Sequence, residues 1–200
     1  DGWSMPLLVR EILTHYISRN ALAEPAPYRD YLRWWREQDT DRSLQAWNEL
    51  LAGVTEPTLV APNAEASFED NPGEIDIDLP EELLTALTEQ SRETGITVNT
   101  LVPVAWALVL GRMLTRSDVV FGATVSGRPA ELPGVENMLG LFINTVPVRV
   151  EFEPGDTVAD VLRSVQDAQV SMLDHHHVGL GSIQQNIGAG TLFDTLTVFE

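Results

Sequence analysis

The chain has 200 residues, 44% of them hydrophobic and 21% charged, which is enough to bury a substantial core and argues against disorder. Thirty acidic residues against twelve basic ones, all of the latter arginine, give a formal charge of -18. Such a surface repels phosphate backbones, so neither nucleic acid nor an anionic membrane is expected as a partner. Cysteine is absent, which excludes disulfides, thiolate metal sites and a cysteine nucleophile, and a cytoplasmic location is expected.

In chain order, Ser4 is placed to cap a helix starting near Met5, and Leu8, Val9, Ile12, Leu13 and Tyr16 recur at helical spacing, predicting one buried face. After the proline-punctuated loop Ala23 to Pro27, helices are predicted over Tyr28 to Gln38 and Ser43 to Ala52, the second ended by Gly53. Glu56 to Pro72, rich in proline, acids and small residues, predicts an exposed linker. Glu74 to Leu79 alternates Ile75, Ile77 and Leu79 with acids, the period of a strand with one wet face. Pro80 opens a helix stopped by Gly95, and a second helix from about Thr100 to Thr115 is apolar nearly all round, which places it inside a layered domain.

Val119 to Val125 is a β-branched run expected to be a strand buried on both faces, and Thr145 to Phe152 a second strand bearing Pro147. The irregular stretch Ser126 to Gly140 lies between them. Thr157 with Asp160 predicts a capped helix through Met172, and Thr195 to Phe199 a closing strand. Helices alternating with strands predict an α/β fold, a mixed sheet covered by helices. The longest apolar stretch, Leu101 to Leu114, is too short to span a bilayer, and no basic start marks a signal peptide.

Generic catalytic motifs are missing: there is no GxSxG, P-loop, HExxH or glycine-rich dinucleotide turn. His175, His176 and His177 cannot all face one metal from a regular helix, and no metal site is expected; a helix terminus, where the dipole suits histidine, accounts for them. Asn144 places one amide among apolar neighbours, to be satisfied either by a substrate or by structure. Ser126, Gly127 and Arg128 open the irregular stretch, and a turn closed by Pro129 would account for them. Arg29, Arg33 and Arg36 share a helical stripe that is either a docking patch or is paired within the helix to Asp30 or Glu37.

Five stretches in order carry a family resemblance: DGWS at Asp1 to Ser4, YRDYLRWWREQ at Tyr28 to Gln38, LGLFINTVPVRV at Leu139 to Val150, HHHVGLGSIQ from His175, and FDTLTVFE at the end. Together they resemble the condensation domains of nonribosomal peptide synthetases, whose HHxxxDG motif would align its last two letters with Asp1 and Gly2. The histidine pair is then expected ahead of Asp1, and residues 1 to 200 alone are expected to be inactive.

The resemblance implies a chloramphenicol acetyltransferase-like α+β two-layer sandwich. Residues 1–55 would end the N-terminal lobe, 56–73 would link, and 74–200 would belong to the C-terminal lobe. It implies an acyltransferase forming an amide between a donor acyl or peptidyl thioester and an acceptor aminoacyl group in secondary metabolism. Both substrates would hang on the phosphopantetheine arms of carrier proteins, with neighbouring synthetase domains as further partners and no cofactor bound directly.

Asp1 would hold the catalytic loop by pairing with an arginine expected outside this chain, and Gly2 would allow close backbone approach. Trp3, Ser126, Gly127, Arg128 and Asn144 are the expected tunnel residues. FINTVPVR favours ordinary peptide-bond formation over an epimerisation-type relative. A degenerate recruitment module and a free-standing coenzyme A acyltransferase are the alternatives.

Overall fold

The computed structural model describes residues 1–18, 24–62 and 73–199. The chain runs through α1 (Ser4–Ser18), α2 (Tyr28–Glu37), α3 (Thr40–Leu50), α4 (Glu81–Thr94), α5 (Val98–Leu114), β1 (Asp118–Val125), β2 (Asn144–Glu151), α6 (Val158–Ser171), α7 (Leu180–Asn186) and β3 (Leu196–Thr197). Among the described residues no single helix is long and apolar enough to cross a membrane.

β1 is the middle strand of a sheet ordered β2-β1-β3, antiparallel to β2 from Asp118↔Glu151 to Val125↔Asn144 and parallel to β3. Its apolar run serves two cores because successive side chains alternate faces. Val119 and Phe121 join Val148 and Val150 beneath α5 and α6, while Val120 packs with Trp47 of α3 and Ile183 of α7. The mixed sheet and helical cover of the expected α/β fold are therefore present, and the cover reaches both faces.

Local signals gave the right stops. Thr157 and Asp160 form a reciprocal capping box at α6, and Gly95 takes the left-handed conformation after α4. α3 starts three residues earlier than expected because the Asp39 side chain accepts the Arg42 amide.

Four expectations need correction. The apolar face of α1 is exposed, with Tyr16 at 83%, and of this helix only Ser4 and Leu7 are buried. α5 is buried along one side by Val104, Ala107 and Leu110, whereas Leu108, Val109 and Met113 face outward. Residues 74–79 pair with no strand among the described residues, and Ile75 is 87% exposed. Alternation fixes which side chains share a face; it does not supply a neighbouring strand to bond.

The fourth concerns the expected linker, whose first part is anchored. Thr58 is fully buried, its amide donating to Leu192 O at 2.8 Å while its Oγ1 accepts from Val120 N at 2.8 Å. The Asp194 carboxylate accepts from the amides of Val60 and Ala61, and Arg116 donates to the carbonyls of Glu56 and Pro57. Residues 63–72 of the linker lie outside the described residues.

Candidate functional site

Asp1 and Arg128, 127 positions apart, form a buried ion pair. Arg128 Nη2 lies 3.3 Å from both carboxylate oxygens, and the Asp1 and Arg128 side chains are 1% and 9% exposed respectively. This corrects the expectation that the arginine partner lies outside the chain. Ser4 N donates to Asp1 Oδ1 at 2.8 Å and Phe142 N to Oδ2 at 3.2 Å, so the carboxylate is met by amides as well as by the guanidinium. Arg128 also donates to Val135 O and, at 3.1 Å, to Met138 O, and it lies 3.9 Å over the Phe142 ring. Burial pulls the Arg128 guanidinium below its ordinary range.

Ser4 does not cap α1; Asp1 does that work, accepting the Ser4 amide. Instead Ser4 Oγ donates to Gly140 O at 2.9 Å and accepts from Gly140 N at 3.1 Å, which fastens the start of α1 to the loop before β2. Gly127 makes the approach of that loop possible. It sits at φ +60°, and any Cβ there would collide with the Phe142 carbonyl. A Cβ on Gly140 would strike the Tyr28 ring.

An aromatic group secures the same loop from the other side. Tyr28 meets Phe142 edge-on at 5.1 Å, Tyr31 lies 4.6 Å from Phe142, and Trp34 stacks on Tyr31. Tyr28 donates its hydroxyl to Leu141 O at 2.7 Å, and Trp3, 61% exposed, donates Nε1 to Glu136 O. The α2 motif and the strand motif thus meet through rings, with the tail of the first motif bonded between them.

The histidine run belongs to a second fixed loop. The carbonyls of residues 175–178 are each taken by a side-chain donor: His175 O by Trp47 Nε1, His176 O and Val178 O by Asn144 Nδ2, and His177 O by Trp35 Nε1. Asn144 Oδ1 accepts from Thr145 N, so the amide expected to face a tunnel has both hydrogens and its oxygen engaged inside the protein. His175 Nδ1 shares a hydrogen bond with Ser43 Oγ at 2.9 Å.

Helix-end stabilisation of charged histidine, expected from the sequence, is not what this loop provides. Burial first, then the neighbouring imidazoles of His175 and His177, hold His176 below the usual histidine range. Burial does the same to His177 against the opposing bond to Asp174 O. His177 Nδ1 donates to that carbonyl, which leaves Nε2 buried without a hydrogen-bond partner and ill placed to take a proton.

The sign of the linkage follows: below the ordinary histidine range the unfolded chain binds more protons than the folded one. Stability is therefore full above that range and falls as pH drops through it. The urea midpoint should fall between about pH 7 and about pH 5. The double variant His176→Gln, His177→Gln should flatten that slope, and an equally steep slope would contradict the assignment.

Of the expected site residues, Asp1, Gly127 and Arg128 converge at one point, while Asn144 holds the histidine loop. Gly2 and Ser126 are exposed. Arg33 pairs with Asp30 at 3.2 Å, and Arg29 and Arg36 of the same stripe are exposed. Among the described residues no cluster of histidine and acidic side chains could hold a metal ion. Sequence reasoning missed Phe142, Ser4 Oγ and the tryptophan donors Trp35 and Trp47; for the last two, three tryptophans within fourteen residues of a polar helical region were the available signal.

The condensation-domain family model matches residues 1–200. A linear gramicidin synthase of Brevibacillus parabrevis is 39% identical over 215 residues, covering all of this chain and 4% of that protein. Chondramide synthase of Chondromyces crocatus is 38% identical over all of the chain and 5% of its own length, and a surfactin synthase of Bacillus subtilis is 34% identical over all of the chain and 16% of its own length.

Among solved structures, the X-domain from teicoplanin biosynthesis superposes with a TM-score of 0.78 at 25% identity, covering 98% of this chain and 48% of that one. The first condensation domain of the calcium-dependent antibiotic synthetase, in complex with a substrate analogue, superposes at 0.77 and 22% identity over 99% and 45%, which speaks for the fold. The chain thus spans less than half of these solved chains and a small part of the synthases. With Asp1 and the strand motif joined around one buried ion pair, this chain belongs to the condensation-domain family and has the family's chloramphenicol acetyltransferase-like fold.

Proposed function

We propose that these residues are the part of a condensation domain that holds the catalytic loop in place while an amide bond forms between two carrier-bound substrates. The buried Asp1–Arg128 pair carries this reading, because it fixes the exit of the motif whose histidines would lie just ahead. In the reaction, the acceptor amine nitrogen attacks the donor thioester carbonyl, a C–N bond forms and the C–S bond breaks. The amine gives up a proton, and the phosphopantetheine thiolate leaves and is protonated. Holding two tethered reactants together supplies much of the acceleration, with an imidazole assisting the proton transfer.

On this reading residues 1–55 end one lobe, 56–73 cross over and 74–200 form most of the other, with Trp47 and Thr58 binding the first two stretches onto the sheet. Trp3 and Ser126, the exposed residues beside the ion pair, are the tunnel residues that substrates would meet. The stripe of Arg29, Arg33 and Arg36 is the contact offered to acidic carrier proteins. The asparagine-threonine pair Asn144 and Thr145 in the strand motif favours condensation over epimerisation.

The test uses the intact polypeptide with loaded donor and acceptor carriers. Amide product is expected, and replacing Asp1 by alanine should lower its rate at least tenfold, about 1.4 kcal/mol in barrier. Residues 1–200 alone should give none. A full-length protein that forms no amide with any loaded pair but captures another protein would favour the recruitment module instead.

A further inference from the structure

A cavity of about 300 Å³ opens between α5, α6 and the sheet face at the far ends of β1 and β2. Its size is at the lower limit of small-molecule sites, room for one side chain and not for a peptide. Val125, Val146, Val165 and Met172 make the wall largely apolar. Among the described residues Arg149 alone brings a charge to the lining, and its guanidinium is spent on Asp118, Glu151 and the carbonyls of Leu50 and Ala52. A charged occupant would find no counter-ion there.

The polar residues at the α5 end are mostly bonded to one another: Thr100 Oγ1 to Gln169 Oε1 at 2.9 Å, and Thr97 N to Gln166 Oε1 at 2.8 Å. His176 also lines the cavity and is half-buried; its ring, like the side chains of Asn99 and Thr124 in the same lining, has no hydrogen-bond partner among the described residues, although its own carbonyl is tied to Asn144. Along β1 the lining reaches Val125, three residues before Arg128 of the ion pair, a chain distance of about 10 Å at most.

We propose that this cavity receives the side chain of a carrier-tethered aminoacyl substrate, one that is neutral, largely apolar and tipped with a hydroxyl, with His176 as its hydrogen-bond partner. The inference rests on the amide-forming reading and assigns that reaction a selectivity. A tyrosine-like side chain suits both the apolar wall and the open imidazole, whereas aspartyl and lysyl groups would be desolvated with no counter-ion to meet them.

The intact polypeptide should be assayed with carriers loaded with alanyl, phenylalanyl, tyrosyl and aspartyl groups on either the donor or the acceptor side. On the side that uses the cavity, tyrosyl should exceed aspartyl by about a hundredfold or more in kcat/KM. Ala168→Phe, which fills the cavity, should cut tyrosyl and phenylalanyl turnover about tenfold or more while leaving alanyl turnover within about twofold. His176→Phe should abolish the preference for tyrosyl over phenylalanyl.

Equal losses for all substrates, or none, would overturn the proposal. Should the variants fail to fold, N-acetyltyrosinamide titrated into the wild-type protein should shift the His176 imidazole resonances, and no shift at millimolar concentrations would likewise overturn it. If that probe binds but no loaded pair yields amide, the amide-forming reading fails and the cavity assignment stands.

Discussion

Replacing Arg128 with methionine should cost the protein about 3–5 kcal/mol of stability, the loss usual when one member of a buried ion pair is removed. The Asp1 carboxylate would stay buried with only the amides of Ser4 and Phe142 as donors, the Met138 carbonyl would lose the guanidinium, and the Val135 carbonyl would keep only the Met138 amide. Asp1→Asn should cost less, about 1.5–3 kcal/mol, since the amide oxygen can still accept from Ser4 while its NH2 group opposes other donors. Combining the two removes both charges, so the double variant should be more stable than the sum of the single losses predicts. Urea denaturation of the four proteins gives the coupling directly. Strict additivity would mean that the guanidinium acts through the loop carbonyls and the Phe142 ring, and not through Asp1.

That ion pair shows where sequence reading succeeds and where it stops. Asp1 is singled out because the resemblance aligns it with Gly2 to the last two letters of a short motif, and Arg128 because it stands between the turn signals Gly127 and Pro129, but no periodicity links positions 127 residues apart. Only folding puts the β1–β2 loop over the start of α1, and the device that permits it is Gly127, whose left-handed backbone admits the Phe142 carbonyl. Local rules did well where their partners are local. Thr157 and Asp160 are three residues apart, and Gly95 needs only its own φ.

The same rules misread Ser4, which has the right chemistry for a cap and is used instead to bridge to Gly140. They also overread apolar stripes. Leu8, Ile12 and Tyr16 of α1 share a face, as do Ile75 and Ile77, yet periodicity says only that a surface is fit to be covered, and the described residues do not cover either. The candidate site was visible as a set of residue types, while its geometry depended on tertiary contacts.

The histidine loop offers the second large effect, and it separates packing from hydrogen bonding. Trp47 is 1% exposed in the core shared by β1, β2 and α7, and its indole also donates to His175 O. Trp47→Ala should therefore lose about 3–5 kcal/mol, the usual cost of emptying a buried aromatic site. Trp47→Phe keeps most of the apolar volume and surrenders the donor, and because the Val178 amide still donates to His175 O, its loss should be nearer the ~0.5–1.5 kcal/mol of one net hydrogen bond.

Asn144→Leu, of similar size, bares His176 O and Val178 O together and should cost about 1–3 kcal/mol for each. The two variants should also differ in where the damage lies. Losing the asparagine should raise hydrogen exchange across residues 173–179 with little change in β1, because the carbonyl ties hold the loop and not the sheet, whereas Trp47→Ala should raise it in both. Equal exchange in the two variants would show that the loop and the sheet core open as one unit, and that Asn144 serves the core and not the loop bearing His176.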